Sequence, residues 1–191
     1  MSRVVEAARG WIGTPYVHQA SCKGAGCDCL GLIRGVWREL LGAEPELPPA
    51  YTMDWSEPQG AEALWQAAAR HLVEKPLQDA EPGDVILFRM REGSVAKHLG
   101  VQASVTELRA APGPAGRVRS ARPFCRRQTS GLTGGGTGAA RPIGQADVFS
   151  CKPSFIHAYA GHGVVESPLS PPWQRRIVAR FHFPGMSRQR S

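Results

Sequence analysis

The chain has 191 residues, of which 42% are hydrophobic, and it carries a formal net charge of +7. This is enough apolar content for one well-packed domain, and because no apolar run of 18 residues occurs, we expect no membrane-spanning helix and no membrane partner. Most of the charge lies between residues 105 and 150, where seven arginines accompany two acidic residues without a basic helix or interleaved aromatics, so nucleic acid is disfavoured as a partner.

The first predicted element is a helix over about residues 3–12, in which apolar residues recur at helical spacing. Charged residues lie within this apolar pattern, so the N-terminus lacks the continuous apolar core of a signal peptide. We therefore expect a protein made in the cytoplasm that reaches any site beyond it by a route other than general secretion. Gly13 to Pro15 ends the helix, and Tyr16 opens a loop.

A second helix is predicted from Asp28 to about Leu41, with Asp28 as its N-cap and Gly42 just past its end. Cys29 then falls in the first turn, where free backbone N–H groups and the helix dipole favour an anion. A thiol held there is expected to have a lowered pKa and to act as a nucleophile. Burial of Cys29 as an inert core thiol is the alternative.

Residues 44–57 are proline-rich and predict an extended surface segment, and a third helix is expected over about 59–73. After it the apolar pattern changes to that of strands. Five stretches predict strands, at 85–88, 97–101, 154–159, 163–166 and 177–183, and 171–176 predicts a helical turn. Helices first and strands afterwards indicate an α+β domain with the N-terminal helices packed on one antiparallel sheet.

The segment from about 105 to 150 is rich in Gly, Pro, Ala and Arg and has almost no apolar periodicity. A connection of this length is uncommon inside a compact domain. We interpret it as a low-complexity surface insertion into a single domain covering 1–191. The alternatives to an insertion are that this segment forms a second small domain or that it is not native coding sequence.

His98 and His157 are isolated polar residues, each inside a short apolar strand. If the two strands pair, both imidazoles lie on one face, and beside Cys29 they would complete a Cys-His-His triad. A structural role for either histidine is the alternative. The five cysteines contain no CxxC pair and the histidines lack zinc-finger spacing, so we expect no metal and no cofactor.

Five short motifs in this order resemble the NlpC-type cell-wall peptidases, which share the papain-like arrangement of a nucleophile helix followed by a sheet. They are Gly13-Thr14-Pro15-Tyr16, Asp28-Cys29-Leu30-Gly31-Leu32, Pro82-Gly83-Asp84-Val85-Ile86-Leu87-Phe88, Lys97-His98-Leu99-Gly100-Val101 and Phe155-Ile156-His157-Ala158. Two longer stretches, 26–38 and 157–167, look like the phage and gene-transfer-agent branch of that family, whose members act at the tail tip during DNA delivery.

The resemblance implies Cys29 as nucleophile, His98 as general base, His157 as the residue that orients His98, and Tyr16 beside the oxyanion position. It implies a cysteine endopeptidase that cleaves peptide stems of peptidoglycan, in the periplasm or cell wall, as part of a phage-like particle with tail-tip or hub partners. The alternatives are an amidase or acyltransferase on the same fold, or a non-catalytic tail protein that only binds the wall.

Overall fold

The computed structural model of the chain describes residues 2–52, 60–105 and 152–186. The predicted insertion at about 105–150 lies outside these ranges apart from its first residue, as does part of the proline-rich segment. The single-domain interpretation with an insertion therefore stays a prediction.

The described residues form four helices and eight strands, in an order close to that predicted. The helices are α1 (Arg3–Arg9), α2 (Cys29–Leu41), α3 (Ala63–His71) and α4 (Pro171–Gln174). The strands are β1 (Ser21–Cys22), β2 (Gly26–Cys27), β3 (Val73–Lys75), β4 (Val85–Arg89), β5 (Ala96–Ser104), β6 (Ser154–Tyr159), β7 (Gly163–Pro168) and β8 (Ile177–His182).

Six of the strands form one antiparallel sheet in the order β3-β8-β4-β5-β6-β7, and β1 and β2 form a separate small hairpin. The predicted α+β fold with helices on an antiparallel sheet is confirmed. The hairpin and β3 were not expected from the sequence. Two-residue strands are too short to show a period, and Val73, placed at the end of the third helix, instead pairs with His182 at the sheet edge.

Two hydrophobic clusters lie on the two faces of the sheet, because successive strand side chains point to opposite faces. The larger cluster joins α1, α2 and α3 to sheet residues such as Leu99 and Ile156. The smaller one contains Phe88 and Phe155, with Trp173 of α4 packed against it. Each fully buried Leu, Ile or Phe contributes roughly 1.5–3 kcal/mol of apolar burial.

Helix α2 approaches its neighbours closely because two of its turns present glycine. A Cβ on Gly31 would lie 1.9 Å from the carbonyl oxygen of Ala20, and one on Gly35 would lie 2.0 Å from the ring of Trp11. The glycines therefore let α2 dock tightly on α1 and on the loop before it, which places the first turn of α2 against the sheet.

The pairing of β5 with β6 covers only part of the two strands. It runs from Val101 and Ile156 to Ser104 and Ser154, and it stops before His98 is reached. Helix α2 contacts both strands. Its N-terminus therefore approaches the sheet where two neighbouring strands leave backbone groups unpaired. No helix among the described ranges has the length and apolar content needed to cross a bilayer.

Candidate active site

Asp28 caps α2 as the sequence predicted. The residue has only 2% of its surface exposed, and Oδ1 accepts a hydrogen bond of 2.8 Å from the backbone N–H of Gly31. An N-cap of this type stabilises a helix by about 1 kcal/mol. The cap fixes the first turn, and with it the position of Cys29.

The second carboxylate oxygen of Asp28 joins the preceding loop to the proline-rich segment. Oδ2 accepts from the backbone N–H of Gln19 at 2.7 Å and from the Tyr51 hydroxyl at 2.6 Å, and His18 Nδ1 lies 3.5 Å away. Gln19 has a φ of 63°, in the left-handed region that non-glycine residues seldom adopt. Sequence reasoning missed Tyr51, because an extended proline-rich segment carries no periodic signal that shows which residue turns inward.

Cys29 occupies the first turn of α2 as predicted, but its predicted thiolate character is wrong. Burial, followed by the charge of Asp28, raises the pKa of the Cys29 thiol to about 12. Backbone N–H groups of Leu99, Leu30 and Cys29 itself act in the opposite direction. Desolvation therefore outweighs the N-terminal dipole, and Cys29 is a neutral thiol at pH 7.

Tyr16 lies beside the thiol, where the resemblance puts it. It makes an isolated parallel bridge with Cys27, two residues before the nucleophile position. Burial raises the pKa of the Tyr16 phenol, and the charges that Cys29 and Asp28 can carry raise it further. A protonated phenol next to the sulfur is a hydrogen-bond donor.

The two strand histidines meet, as the sequence predicted. His98 Nε2 lies 2.9 Å from His157 Nδ1, and both rings pack on Trp173, with ring centroids 5.7 Å and 5.3 Å from it. Burial lowers the pKa of His98 to about 3 and that of His157 to about 4, with smaller effects from His157 and His162 respectively. Both imidazoles are therefore neutral at pH 7.

Ser167 on β7 extends this pair. His157 Nε2 lies 3.0 Å from Ser167 Oγ, so the hydrogen bonds run from β5 through β6 to β7. With His157 Nε2–H donating to Ser167, Nδ1 of His157 accepts from Nε2–H of His98, which leaves a lone pair on His98 Nδ1. Ser167 and Trp173 were both missed, because only the strand register and the packing of α4 reveal them.

The backbone of β5, rather than an imidazole, contacts the Cys29 sulfur. The N–H of Leu99, which directly follows His98, is close enough to the Cys29 sulfur to stabilise its thiolate. Within the described part of the chain, no hydrogen bond joins that sulfur to a ring nitrogen of His98 or His157. Within the described residues the structure brings His98 to His157, and Tyr16 and Cys29 to the α2 side of the sheet, and it shows no contact between the thiol and an imidazole.

The chain is similar in sequence to one curated hydrolase and in fold to solved NlpC/P60 structures. No protein-family model matches the chain. Over 100 residues it is 31% identical to the gamma-DL-glutamyl hydrolase of Bacillus subtilis (strain 168), a match that covers 52% of this chain and only 20% of that protein. The match thus spans a fifth of that relative's length.

Two solved structures share the fold. The NlpC/p60 domain of the peptidoglycan hydrolase SagA has a TM-score of 0.50 and 16% identity, with 95% of this chain and 97% of that domain covered. An NlpC/P60 family protein from Bacillus cereus ATCC 10987 has a TM-score of 0.51 and 15% identity, covering 95% of this chain and 39% of that protein. The chain therefore has the papain-like fold of the NlpC/P60 proteins.

Proposed function

We propose that this chain is a cysteine endopeptidase that hydrolyses the peptide stems of bacterial peptidoglycan. The observation that carries the proposal is the hydrogen-bonded His98–His157 pair next to the peptide N–H that reaches the Cys29 sulfur. The proposed substrate class comes from the peptidoglycan hydrolase SagA, whose NlpC/p60 domain shares the fold, and the gamma-DL-glutamyl hydrolase supports a glutamyl bond as the site of cleavage. We expect the cleaved bond to lie between the D-glutamyl and diaminopimelyl residues.

The resting protonation states define how the reaction starts. Since the pKa of Cys29 is raised and that of His98 is lowered, the pair rests as neutral thiol and neutral imidazole. Desolvation makes a preformed buried ion pair costly. His98 therefore acts as general base during attack: as the Cys29 sulfur bonds to the carbonyl carbon, its proton passes to His98 Nδ1.

The remaining proposed steps use Tyr16, His98 and the Cys29 backbone. The backbone N–H of Cys29 and the Tyr16 hydroxyl stabilise the oxyanion that forms on the carbonyl oxygen. The imidazolium of His98 returns its proton to the leaving amine, and the C–N bond breaks to leave a thioester. A water molecule, deprotonated by His98, then attacks the thioester, and the regenerated thiol leaves with the proton.

Clearing of purified cell-wall sacculi tests this proposal. The parent protein should lower the turbidity of a sacculus suspension at a measurable rate. Cys29→Ala should clear it at least about a thousandfold more slowly, since removal of a nucleophile has an effect of this size. Cys22→Ala, which changes an exposed thiol on the β1–β2 hairpin, is the matched control and should clear at the parent rate. Equal clearing by Cys29→Ala would leave the non-catalytic, wall-binding alternative as the better description.

Mass spectrometry of the products separates the endopeptidase from an amidase or an acyltransferase on the same fold. Hydrolysis within the stem yields two peptides whose masses together exceed that of the substrate by one water. An amidase also adds one water, but it releases the stem peptide whole. Transfer of the acyl group to another amine yields a product without that added water.

We further propose that the enzyme acts at the tail tip of a phage-like particle during DNA delivery. The support is the likeness of residues 26–38 and 157–167 to that branch of the family. Immunogold labelling of particles from the producing cells should place the protein at one end of a tail. Label on capsids only, or on no particle, would contradict this role.

A further inference from the structure

Beyond the catalytic residues, an exposed pair of aromatic rings lies at the β6–β7 turn. Tyr159 is 44% exposed, and its ring is stacked with that of His162, with centroids 5.6 Å apart and planes inclined by 19°. At this separation the rings are offset, so part of each ring face stays uncovered. We call Tyr159 and His162 the ring platform.

The start of β7, directly after the ring platform, packs against the N-terminal loop. Gly163 packs so closely that a Cβ there would lie 2.5 Å from the carbonyl oxygen of Thr14. The backbone N–H of Gly13 donates to Val164, and that of Val164 donates to Thr14, at 3.0 Å and 2.9 Å. These contacts hold the backbone next to His162, which limits how far the turn that carries the platform can move.

The polar edges of the platform are available to a ligand. In the described ranges, neither the Tyr159 hydroxyl nor the His162 ring makes a side-chain hydrogen bond. A flat apolar face bordered by free donors and acceptors suits a pyranose ring, which presents C–H groups on one face and hydroxyls at its edge. The negative π face of an aromatic ring attracts such C–H groups.

The platform is continuous with the candidate catalytic pair. The ring of Tyr159 lies 5.8 Å from that of His157, which in turn lies 5.1 Å from that of His98. Two extended residues span roughly 7 Å. A stem that runs from a bond cleaved beside His98 toward the platform therefore brings its sugar-bearing end, two residues away, close to Tyr159.

We propose that Tyr159 and His162 form a subsite for the amino sugar that carries the peptide stem. This inference rests on the proposed function and deepens it, because it makes the enzyme selective for stems still attached to glycan over free peptides. Binding of a protein partner, or of the peptide itself, to the same platform would give different outcomes in the following experiment.

The test compares two ligands: the stem tripeptide L-Ala-γ-D-Glu-diaminopimelate, and the same peptide on its disaccharide. The KM of the parent should be lower for the disaccharide-peptide. Tyr159→Ala should raise that KM roughly three- to tenfold, which is the scale of one aromatic contact, and leave kcat and the KM of the free peptide unchanged. Tyr159→Phe keeps the ring face and should largely retain parent behaviour, and Leu77→Ala, an exposed apolar residue elsewhere, is the control.

Calorimetric binding to the Cys29→Ala variant, which cannot cleave, keeps the two proposals distinguishable. Suppose that the disaccharide-peptide binds and Tyr159→Ala weakens this binding, but the parent protein does not cleave it. This result would contradict the proposed function and support the subsite. Cleavage of both ligands with equal KM would overturn the subsite alone. Equal weakening of the binding of both ligands by Tyr159→Ala would also overturn the subsite and indicate a peptide contact. Failure of the disaccharide-peptide to bind would overturn it too and would fit a platform that binds a protein partner.

Discussion

The central residue, Cys29, shows a conflict between two local forces. Its place in the first turn of α2 favours the thiolate, while burial and the neighbouring charge of Asp28 favour the thiol. Burial has the larger effect on the pKa, so Cys29 is a neutral thiol before the reaction. A nucleophile of this kind depends on its base at the moment of attack, which makes the exact placement of His98 more important than it is for a preformed thiolate.

We predict that Cys29 is alkylated by iodoacetamide with an apparent pKa well above the value of about 8.5 for a free thiol. Asp28→Asn keeps an oxygen for the cap and removes the charge, so it should lower that pKa. Each unit of the change increases the rate at pH 7 about tenfold. Peptide mapping after timed alkylation at several pH values measures both effects.

Glu39→Gln is the matched control for this experiment, since it removes one acidic charge from α2 in a partly exposed pair with Lys23. It should leave the Cys29 profile unchanged. A rate that is already maximal at pH 6 in the parent would show a thiolate–imidazolium pair and contradict the neutral resting state.

At the scale of elements, three adjacent strands supply one chain of hydrogen bonds. β5 carries His98, β6 carries His157 and β7 carries Ser167, and each contact crosses to the next strand. The direction in which these hydrogen bonds are donated decides which nitrogen of His98 has a free lone pair. Ser167 therefore positions the base without touching the reacting atoms.

We predict that Ser167→Ala lowers kcat on stem peptides up to about tenfold with little change in KM, because the loss of one partly buried hydrogen bond costs up to about 1.4 kcal/mol. Ser167→Thr retains a hydroxyl and should restore most of the rate. Steady-state kinetics across pH should also show a displaced acidic limb for the alanine variant.

Ser154→Ala is the matched control, because Ser154 lies on β6 and its hydroxyl contacts Ser104 and Glu166 rather than a histidine. It should keep the parent kcat. If both alanine variants lose kcat equally, the effect is general loosening of the sheet, and Ser167 has no positioning role.

At the scale of the whole molecule, the site affects the stability of the fold. His98 and His157 have folded-state pKa values of about 3 and about 4, below the ordinary value of 6.5. The unfolded chain therefore binds protons first as the pH falls. The stability that the neutral imidazoles contribute is fully present above about pH 6.5 and is lost as the pH falls through the folded-state values.

We predict that the free energy of unfolding, measured by urea denaturation, decreases steadily from pH 6.5 to pH 4. His157→Asn cannot take up a proton at this position, so its profile should be less steep over the same range, whatever its stability at pH 7. Parallel profiles for the two proteins would show that these histidines are not buried in the neutral state.

Much of this architecture follows from local patterns in the chain. The N-cap at Asp28, the glycine after Leu41 and the apolar helix spacing predicted α2, and strand alternation predicted that His98 and His157 share a face. These features depend on residues a few positions apart, so a sequence contains them directly. The helix-then-strand order predicted the fold class for the same reason.

The tertiary structure decided the protonation state of the thiol and the partners of the histidines. Desolvation of Cys29 depends on elements distant in the chain, including the strand that carries Leu99, and no local pattern encodes it. Ser167, Trp173 and Tyr51 likewise reach the site through strand register, the packing of a short helix and the path of a proline-rich segment. The sequence by itself determined which groups are available for chemistry, and only the folded chain decided how water, charge and neighbouring rings set their reactivity.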